Sequence, residues 1–222
     1  MLAVFDNDGT ICDTQGADDA CYAQAIEAVT GLSLKTLDWT AYEEPTSSAI
    51  IRKLLAGDPL AAEKERAVET EYVRLLEAAQ PDFPGDFRPI PGAVEFMHRL
   101  VGEGVCPVAI ATGCFAQTAR FKLKCCGVSL DAYPHATASD QPRRKDIIPL
   151  AASRAGHATS AIVYFGDATW DVRVSRTLGI PMIGIGRKID RLRGFGVRHV
   201  FRDYSDPDAI IRALRSLVKK PA

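Results

Sequence analysis

Four short apolar runs, widely spaced along the chain, constrain its fold more than any other feature. They are LAVF (2–5), PVAIA (107–111), AIVYF (161–165) and PMIGI (181–185). Each run is too short for a helix and is bounded by Gly, Pro, Asp or Thr, which is typical of strands buried on both faces of a parallel sheet. We therefore expect these runs to form neighbouring strands of one sheet.

Helical periodicity fills most of the intervals between these runs. The segments with this pattern are 92–103, 115–126, 144–155, 170–178 and 207–218. Strands that alternate with helices along the chain indicate an α/β fold with right-handed crossovers. The sequence therefore predicts a doubly wound, Rossmann-like parallel sheet.

Residues 16–88 interrupt this alternation. They show helical periodicity at 17–30, 46–56 and 60–79, followed by a proline-rich segment, 81–92, that reads as a linker. The interruption carries 14 acidic and 7 basic residues, although the whole chain has a net charge of only −1. We therefore predict an α/β core formed by 1–15 and 89–222, with 16–88 as a small all-helical cap domain.

Composition excludes several classes of protein. The chain has 222 residues, of which 47% are hydrophobic and 25% charged, as in ordinary globular proteins. No apolar run approaches the roughly 18 residues that span a bilayer, so we expect no membrane partner. A secretion signal is not recognisable at the N-terminus, which favours a cytoplasmic location.

The six cysteines, Cys114 among them, form no CxxC pair and are expected to be buried, reduced thiols.

A basic stretch at 186–202 raises the question of nucleic-acid binding. Its only aromatic residues are Phe195 and Phe201, so it lacks the interleaved aromatics that stack on bases. We interpret it as a solvated surface and expect no nucleic-acid partner.

Residues that can contact a ligand through a polar side chain or through the backbone follow three of the predicted strands, where ligands bind in sheets of this kind. They are Asp6 and Asp8 after the first strand, Thr112 and Gly113 after the second, and Asp167 and Asp171 after the third, with Lys145 near the start of the helix before the third strand. We expect these groups to converge on one edge of the sheet.

The residue types indicate phosphoryl transfer. Asp6 and Asp8 are two apart in extended chain, so both can face the same side, where they repel unless a cation or shared proton relieves them. Oxygen ligands without His or Cys suit Mg²⁺. Carboxylates around Mg²⁺, with a cation and a hydroxyl nearby, can neutralise a phosphoryl group, and a carboxylate can itself act as the nucleophile.

Four segments of the chain together resemble the motifs of a known family. FDNDGT (5–10), ATG (111–113), Lys145 and GDATWD (166–171) are similar in order and spacing to the motifs of the haloacid dehalogenase superfamily of Mg²⁺-dependent phosphohydrolases. The segment 16–88 looks like the helical cap that the family inserts after its first motif. The resemblance covers the chain outside that insertion.

This resemblance implies roles for the acidic residues. Asp6 would be the nucleophile and a metal ligand. Asp8 would be the general acid/base, with its backbone carbonyl also reaching the metal. Asp167 would bind Mg²⁺, and Asp171 would support it directly or through water.

The resemblance also implies a phosphate site. Thr112, with Gly113, and Lys145 would hold the phosphoryl oxygens. Lys145 stands in an RRKD setting rather than the GKP of many relatives. Arg144 is therefore the alternative to Lys145 for this role.

The expected function is that of a Mg²⁺-dependent phosphomonoesterase that acts on a small phosphorylated metabolite through an aspartyl phosphate. Phosphoglycolate, sugar phosphates and nucleotides all fit. Asp8 favours a phosphatase over a dehalogenase, because a leaving alkoxide needs a proton and a leaving halide does not. The alternatives are a phosphotransferase such as a sugar-phosphate mutase and, more remotely, a non-catalytic binding protein.

Overall fold

The computed structural model describes residues 1–14, 16–83, 85–187 and 189–217. The residues outside this description are Gln15, Pro84, Lys188 and 218–222. They fall within the predicted domain ranges, and one predicted helix was expected to end at residue 218. The strands are β1 (Leu2–Phe5), β2 (Cys12–Asp13), β3 (Arg88–Pro89), β4 (Val108–Ala111), β5 (His135–Ala136), β6 (Ile162–Gly166), β7 (Met182–Ile185) and β8 (His199–Phe201).

The helices follow the strands in alternation outside one long insertion. They are α1 (Ala17–Thr30), α2 (Ser47–Leu54), α3 (Ala61–Ala79), α4 (Ala93–Gly102), α5 (Ala116–Cys125), α6 (Arg144–Arg154), α7 (Thr169–Leu178), α8 (Ile189–Gly194) and α9 (Pro207–Leu217). No helix among the described residues is long and apolar enough to cross a membrane.

Six strands form one parallel sheet in the order β5-β4-β1-β6-β7-β8. Strand β1 lies inside the sheet because Ala3 pairs with Val108 of β4 on one side and with Val163 of β6 on the other. The four predicted strands are all present. The predicted α/β, Rossmann-like fold is therefore confirmed.

Helices cover both faces of this sheet, which explains why β1 is apolar at every position. Ala3 and Phe5 face one hydrophobic core, whereas Leu2 and Val4 face the other. Phe5 stacks on Phe165 of β6 with ring centroids 4.3 Å apart. Burial on both faces fixes the end of β1, and with it the first acidic residues of the site.

The segment between β1 and β4 carries α1, α2 and α3, which share a separate hydrophobic cluster. At its base β2 pairs with β3 in antiparallel fashion. The Asp86 carboxylate accepts hydrogen bonds from the backbone N–H groups of Gly16 (2.9 Å) and Ala17 (2.8 Å) at the start of α1. The chain thus leaves and re-enters the sheet at one place. The segment 81–92 is more than a linker, because it contains β3.

Candidate active site

A cavity of about 350 Å³ opens where the loops after β1, β4 and β6 meet. Asp6 and Asp8 after β1, Gly113 after β4 and Asp167 after β6 all line it. These loops are neighbours because β1 lies between β4 and β6 in the sheet. Ligands of doubly wound folds bind at this edge of the sheet.

Asp6 is buried at the base of the cavity, with 2% of its surface exposed. Its Oδ1 accepts a 2.8 Å hydrogen bond from the backbone N–H of Asn7, and its Oδ2 accepts one of 2.9 Å from Nη1 of Arg144. Burial raises the pKa of Asp6 to about 7 although the Arg144 charge opposes this, and the charge of Asp171 adds to the rise. The site therefore needs further positive charge to hold Asp6 fully ionised.

Arg144 is the cation that faces Asp6. It is the first residue of α6, and its Nη1 lies 2.9 Å from Asp6 Oδ2 and 3.3 Å from Asp171 Oδ1. Burial works against its charge, but Asp6 and Asp171 raise the pKa of Arg144 above its usual range. A Cβ at Gly113 would lie 2.8 Å from Arg144 Nη2, so a side chain there would displace the guanidinium from its present position.

The structure does not bring Lys145 to the site, contrary to the geometry expected from the sequence. Lys145 is exposed and lines a separate surface hollow with Lys53 and Arg143. Successive residues of a helix point about 100° apart, so Arg144 and Lys145 cannot both face Asp6. Arg144, the alternative to Lys145, lies beside Asp6 instead.

The carboxylate of Asp8 accepts hydrogen bonds from three side-chain donors. Its Oδ1 accepts hydrogen bonds from Thr14 Oγ1 (2.6 Å) and Lys122 Nζ (3.1 Å), and its Oδ2 accepts one from Cys114 Sγ (2.7 Å). Burial alone would raise the pKa of Asp8, but Lys122 and the bonds from Cys114 and Thr14 hold it below its usual value. The two acids of the first motif therefore have unlike environments.

Sequence reasoning missed Lys122 and understated Cys114. Cys114 is buried as expected, yet it lines the cavity and bonds to Asp8. Lys122 is fully buried on α5. The sequence feature that could have indicated its burial is its spacing. Lys122 follows the buried residues Thr118 and Ala119 by four and three positions and therefore lies on the inward face of the helix.

Asp6 also belongs to a cluster of three carboxylates. One oxygen each from Asp6, Asp167 and Asp171 lies within 4.8 Å of the others. Asp171 is fully buried, and its Oδ2 accepts a 3.0 Å hydrogen bond from the backbone N–H of Ala168. Burial raises the pKa of Asp171 although Arg144 opposes this. The Asp8 side chain, which bonds to Thr14, Lys122 and Cys114, takes no part in this cluster.

This cluster fits a hard divalent cation. Its donors are all carboxylate oxygens, the kind of ligand that Mg²⁺ prefers. Gly9 has φ +71° and approaches so closely that a Cβ there would lie 2.3 Å from Asp167 Oδ2. The backbone beside Asp167 is therefore shaped to leave its carboxylate in the site.

Thr112 and Gly113 lie at the end of β4 as predicted. Thr112 is buried, and its Oγ1 accepts a 3.2 Å hydrogen bond from the backbone N–H of Cys114. Gly113 lines the cavity directly. This hydrogen bond shapes the loop that presents Gly113 and Cys114 to the cavity.

The far side of the cavity is formed by the inserted helical segment. Tyr22 of α1, Tyr72 of α3 and Trp39 line it. The Trp39 indole donates a 2.8 Å hydrogen bond to Asp19 Oδ1, and its ring centroid lies 6.0 Å from that of Tyr22. Aromatic side chains of the insertion therefore face the carboxylates of the sheet across the cavity.

The fold and this site correspond to a known class of enzyme. The family model described as haloacid dehalogenase-like hydrolase matches residues 1–179. The chain therefore belongs to the haloacid dehalogenase-like hydrolase family. The predicted membership, and the prediction that the chain is an enzyme of the phosphatase-like hydrolase type, are confirmed.

Individual relatives resemble the chain over nearly its whole length. The phosphoglycolate phosphatase of Agrobacterium fabrum is 25% identical over 215 residues, which are 95% of this chain and 87% of the relative. The probable phosphatase IndB of Dickeya dadantii is 25% identical over 229 residues, or 99% and 97% of the two chains. A crystal structure of a hydrolase from Pseudomonas syringae, 22% identical, has the same fold with a TM-score of 0.72 over 99% of this chain and 100% of its own.

Proposed function

We propose that this enzyme is a Mg²⁺-dependent phosphomonoesterase that acts on a small phosphorylated metabolite through an aspartyl phosphate on Asp6. The observation that carries the proposal is the placement of Asp6 between the Arg144 guanidinium, 2.9 Å from its Oδ2, and the carboxylates of Asp167 and Asp171. One cation and three acids leave an excess of negative charge in a mostly buried site. That excess suits a bound divalent cation.

Asp6, Asp167 and Asp171 are the residues that would hold Mg²⁺. When bound there, Mg²⁺ supplies positive charge that neutralises the phosphoryl oxygens. The remaining functions belong to the chain's own side chains. We do not include Asp8 among the carboxylate ligands, because its side chain bonds to Thr14, Cys114 and Lys122.

In the first half-reaction Arg144 holds the phosphoryl group in front of Asp6. A carboxylate oxygen of Asp6 attacks phosphorus, and the bond between phosphorus and the ester oxygen breaks. Asp8 gives its proton to the departing alkoxide. Asp8 is ionised in the free protein, and the negative charge of an arriving phosphate ester raises its pKa so that it takes up that proton.

In the second half-reaction Asp8 acts as a base. It removes a proton from a water molecule, which attacks phosphorus and breaks the bond to Asp6. Inorganic phosphate leaves and the Asp6 carboxylate is restored. The same carboxylate of Asp8 serves both steps. The first step leaves it ionised and able to act as a base, and the second step leaves it protonated again.

We also propose that residues 16–88 act as a cap over a core made of 1–15 and 89–222. Tyr22, Trp39 and Tyr72 of this segment line the cavity opposite Asp6, and the segment joins the core through the paired strands β2 and β3. A cap in this position would exclude bulk water during transfer and open for release. It suits a small metabolite better than a phosphoprotein.

The substrate panel follows from the cavity and the relatives. A volume of about 350 Å³ accepts phosphoglycolate, sugar phosphates and nucleoside monophosphates. The relative named phosphoglycolate phosphatase makes phosphoglycolate the first compound to test. We retain a cytoplasmic location as part of the proposal, since such metabolites are found there.

The test is release of inorganic phosphate from this panel and from 4-nitrophenyl phosphate, with Mg²⁺ or with EDTA. We expect turnover with Mg²⁺ and none with EDTA. Free phosphate as the product supports a hydrolase, whereas an isomerised sugar phosphate would indicate a phosphotransferase. The absence of turnover on every compound with Mg²⁺ present would refute the proposal and favour a binding protein.

A further inference from the structure

Lys122 is a charged side chain buried where an apolar one would be expected. It lies on the inward face of α5 and has no exposed surface. Its Nζ lies 3.1 Å from Asp8 Oδ1 and 2.6 Å from Asp18 Oδ1. The same nitrogen lies 5.7 Å from the centre of the Tyr72 ring. Every one of these partners lies outside the helix that carries Lys122.

Stability alone does not account for this lysine. Burying an ammonium group carries a desolvation penalty of several kcal/mol, and replacing buried ion pairs by apolar residues of similar volume is often neutral or stabilising. A leucine or methionine at position 122 would fill the same space between α5 and the neighbouring helices. The lysine therefore calls for a role that an apolar residue cannot perform.

The position of Lys122 points to that role. Together with Thr14 and Cys114 it fixes both oxygens of the Asp8 carboxylate, which is 31% exposed toward the cavity. Lys122 is the one of these three donors that carries a positive charge. Its 3.1 Å contact is the longest of the three, so what Lys122 adds to Asp8 is a positive charge in a buried position, which a neutral hydroxyl or thiol cannot supply.

Lys122 also connects Asp8 to the inserted helices. Asp18 on α1 contacts Lys122 Nζ and accepts a hydrogen bond from the Tyr72 hydroxyl on α3. The ammonium group is therefore held in place from the side of the insertion. On the cavity side the same nitrogen contacts Asp8 Oδ1 and lies 3.4 Å from Cys114 Sγ.

We propose that Lys122 is a positioning residue that orients the Asp8 carboxylate for proton transfer to the leaving group. The inference rests on the proposed function, in which Asp8 is the general acid. Because a proton is needed only when the leaving group is a poor one, loss of Lys122 should harm poor leaving groups and spare good ones. A lysine that only held the fold together would affect all esters alike.

The test compares the variants Asp18→Asn and Asp18→Asn/Lys122→Met, which differ only at position 122. The shared asparagine substitution avoids leaving a buried, unpaired carboxylate, and the new amide can still accept the Tyr72 hydrogen bond. The substrates are phenyl, 4-nitrophenyl and 2,4-dinitrophenyl phosphate, which have similar shapes and increasingly good leaving groups. The quantity measured is kcat/KM, because it covers only the steps up to the first departure of the phenol.

We expect loss of Lys122 to lower kcat/KM for phenyl phosphate by about tenfold or more, which is a fraction of the full effect of a general acid. For 2,4-dinitrophenyl phosphate we expect kcat/KM to change less than about twofold. An equal loss for all three esters, no loss for any, or a double variant without a cooperative thermal transition would overturn the inference. If the wild-type protein hydrolyses none of the esters, the proposed function itself fails.

Discussion

The guanidinium of Arg144, at the start of α6, donates a 2.9 Å hydrogen bond from Nη1 to Oδ2 of Asp6, at the end of β1. The adjacent Lys145 faces solvent. The contact sets the only buried guanidinium of the described site against the proposed nucleophile. On this geometry we propose that Arg144, rather than Lys145, binds the phosphoryl group.

Replacing Arg144 should therefore abolish most of the activity. Arg144→Met removes the cation proposed to hold the phosphoryl group, and we expect kcat/KM to fall about 10²–10³-fold, as for other groups that stabilise charge in a transition state. Lys145→Met is the matched control and should retain activity within about twofold, because its side chain is exposed. The reverse order of effects in a steady-state assay would return the role to Lys145.

The agreement between sequence and structure at this site has a simple physical basis. Asp6, Thr112 and Asp167 were predictable because each follows an apolar run that is buried on both faces and therefore ends at a definite residue. The choice between Arg144 and Lys145 was not, since it depends on the rotation of α6 about its axis. That rotation is set by packing against the sheet.

Lys122 shows where single-sequence reasoning stops. It contacts Asp8 across 114 positions of sequence, and no local pattern joins the two.

Two edge strands were missed for a different reason. β5 (His135–Ala136) and β8 (His199–Phe201) are short, and each includes a histidine, so neither forms the apolar run by which the inner strands were recognised.

Gly9 should be needed for metal binding. In Gly9→Ala the new Cβ would lie 2.3 Å from Asp167 Oδ2, in a backbone with φ +71°. Asp167 must shift, so we expect the Mg²⁺ concentration for half-maximal activity to rise about tenfold or more, since a displaced ligand weakens a metal site by such factors. The measurement is a Mg²⁺ titration of activity.

The control for this variant is Gly57→Ala. Gly57 has a similar φ of +88°, but no atom lies within 4 Å of the position that a Cβ would take there. It should lose about 1 kcal/mol of unfolding free energy through backbone strain and keep its Mg²⁺ dependence. Equal Mg²⁺ dependence in the two variants would show that contact with Asp167 does not matter.

The raised pKa of Asp6 predicts a pH-dependent stability in metal-free protein. The pKa is about 7 in the folded protein against an ordinary 3.8, chiefly because of burial. Between these values the folded state holds a proton that the unfolded state has released, so this group makes unfolding easier as pH rises from about 4 to 7. In Asp6→Asn that contribution disappears.

The stability of Asp6→Asn relative to wild type should therefore increase with pH across this window. Urea unfolding at pH 5 and at pH 8 in EDTA measures the difference in unfolding free energy. A difference that stays constant, or that shrinks at the higher pH, would contradict the raised pKa.

Asp86 should stabilise the base of the inserted segment. Its Oδ2 accepts hydrogen bonds from the N–H groups of Gly16 and Ala17, which have no partner within α1. We expect Asp86→Ala to lower the unfolding free energy by about 1 kcal/mol, as for other lost helix caps. Asp82→Ala, at an exposed position in the same segment, should leave it unchanged in the same urea titration. Equal effects of the two substitutions would exclude a capping role.

Asp6, the proposed nucleophile, should carry the phosphoryl group during turnover. The most direct measurement is mass spectrometry of peptides from enzyme quenched in acid during turnover of 4-nitrophenyl phosphate with Mg²⁺. We predict one acid-stable, hydroxylamine-sensitive phosphoryl group on the peptide that contains Asp6 in the wild-type protein. In Asp6→Asn we predict neither this phosphoryl group nor turnover. A phosphoryl group on another residue, or full turnover by Asp6→Asn, would show that Asp6 is not the nucleophile.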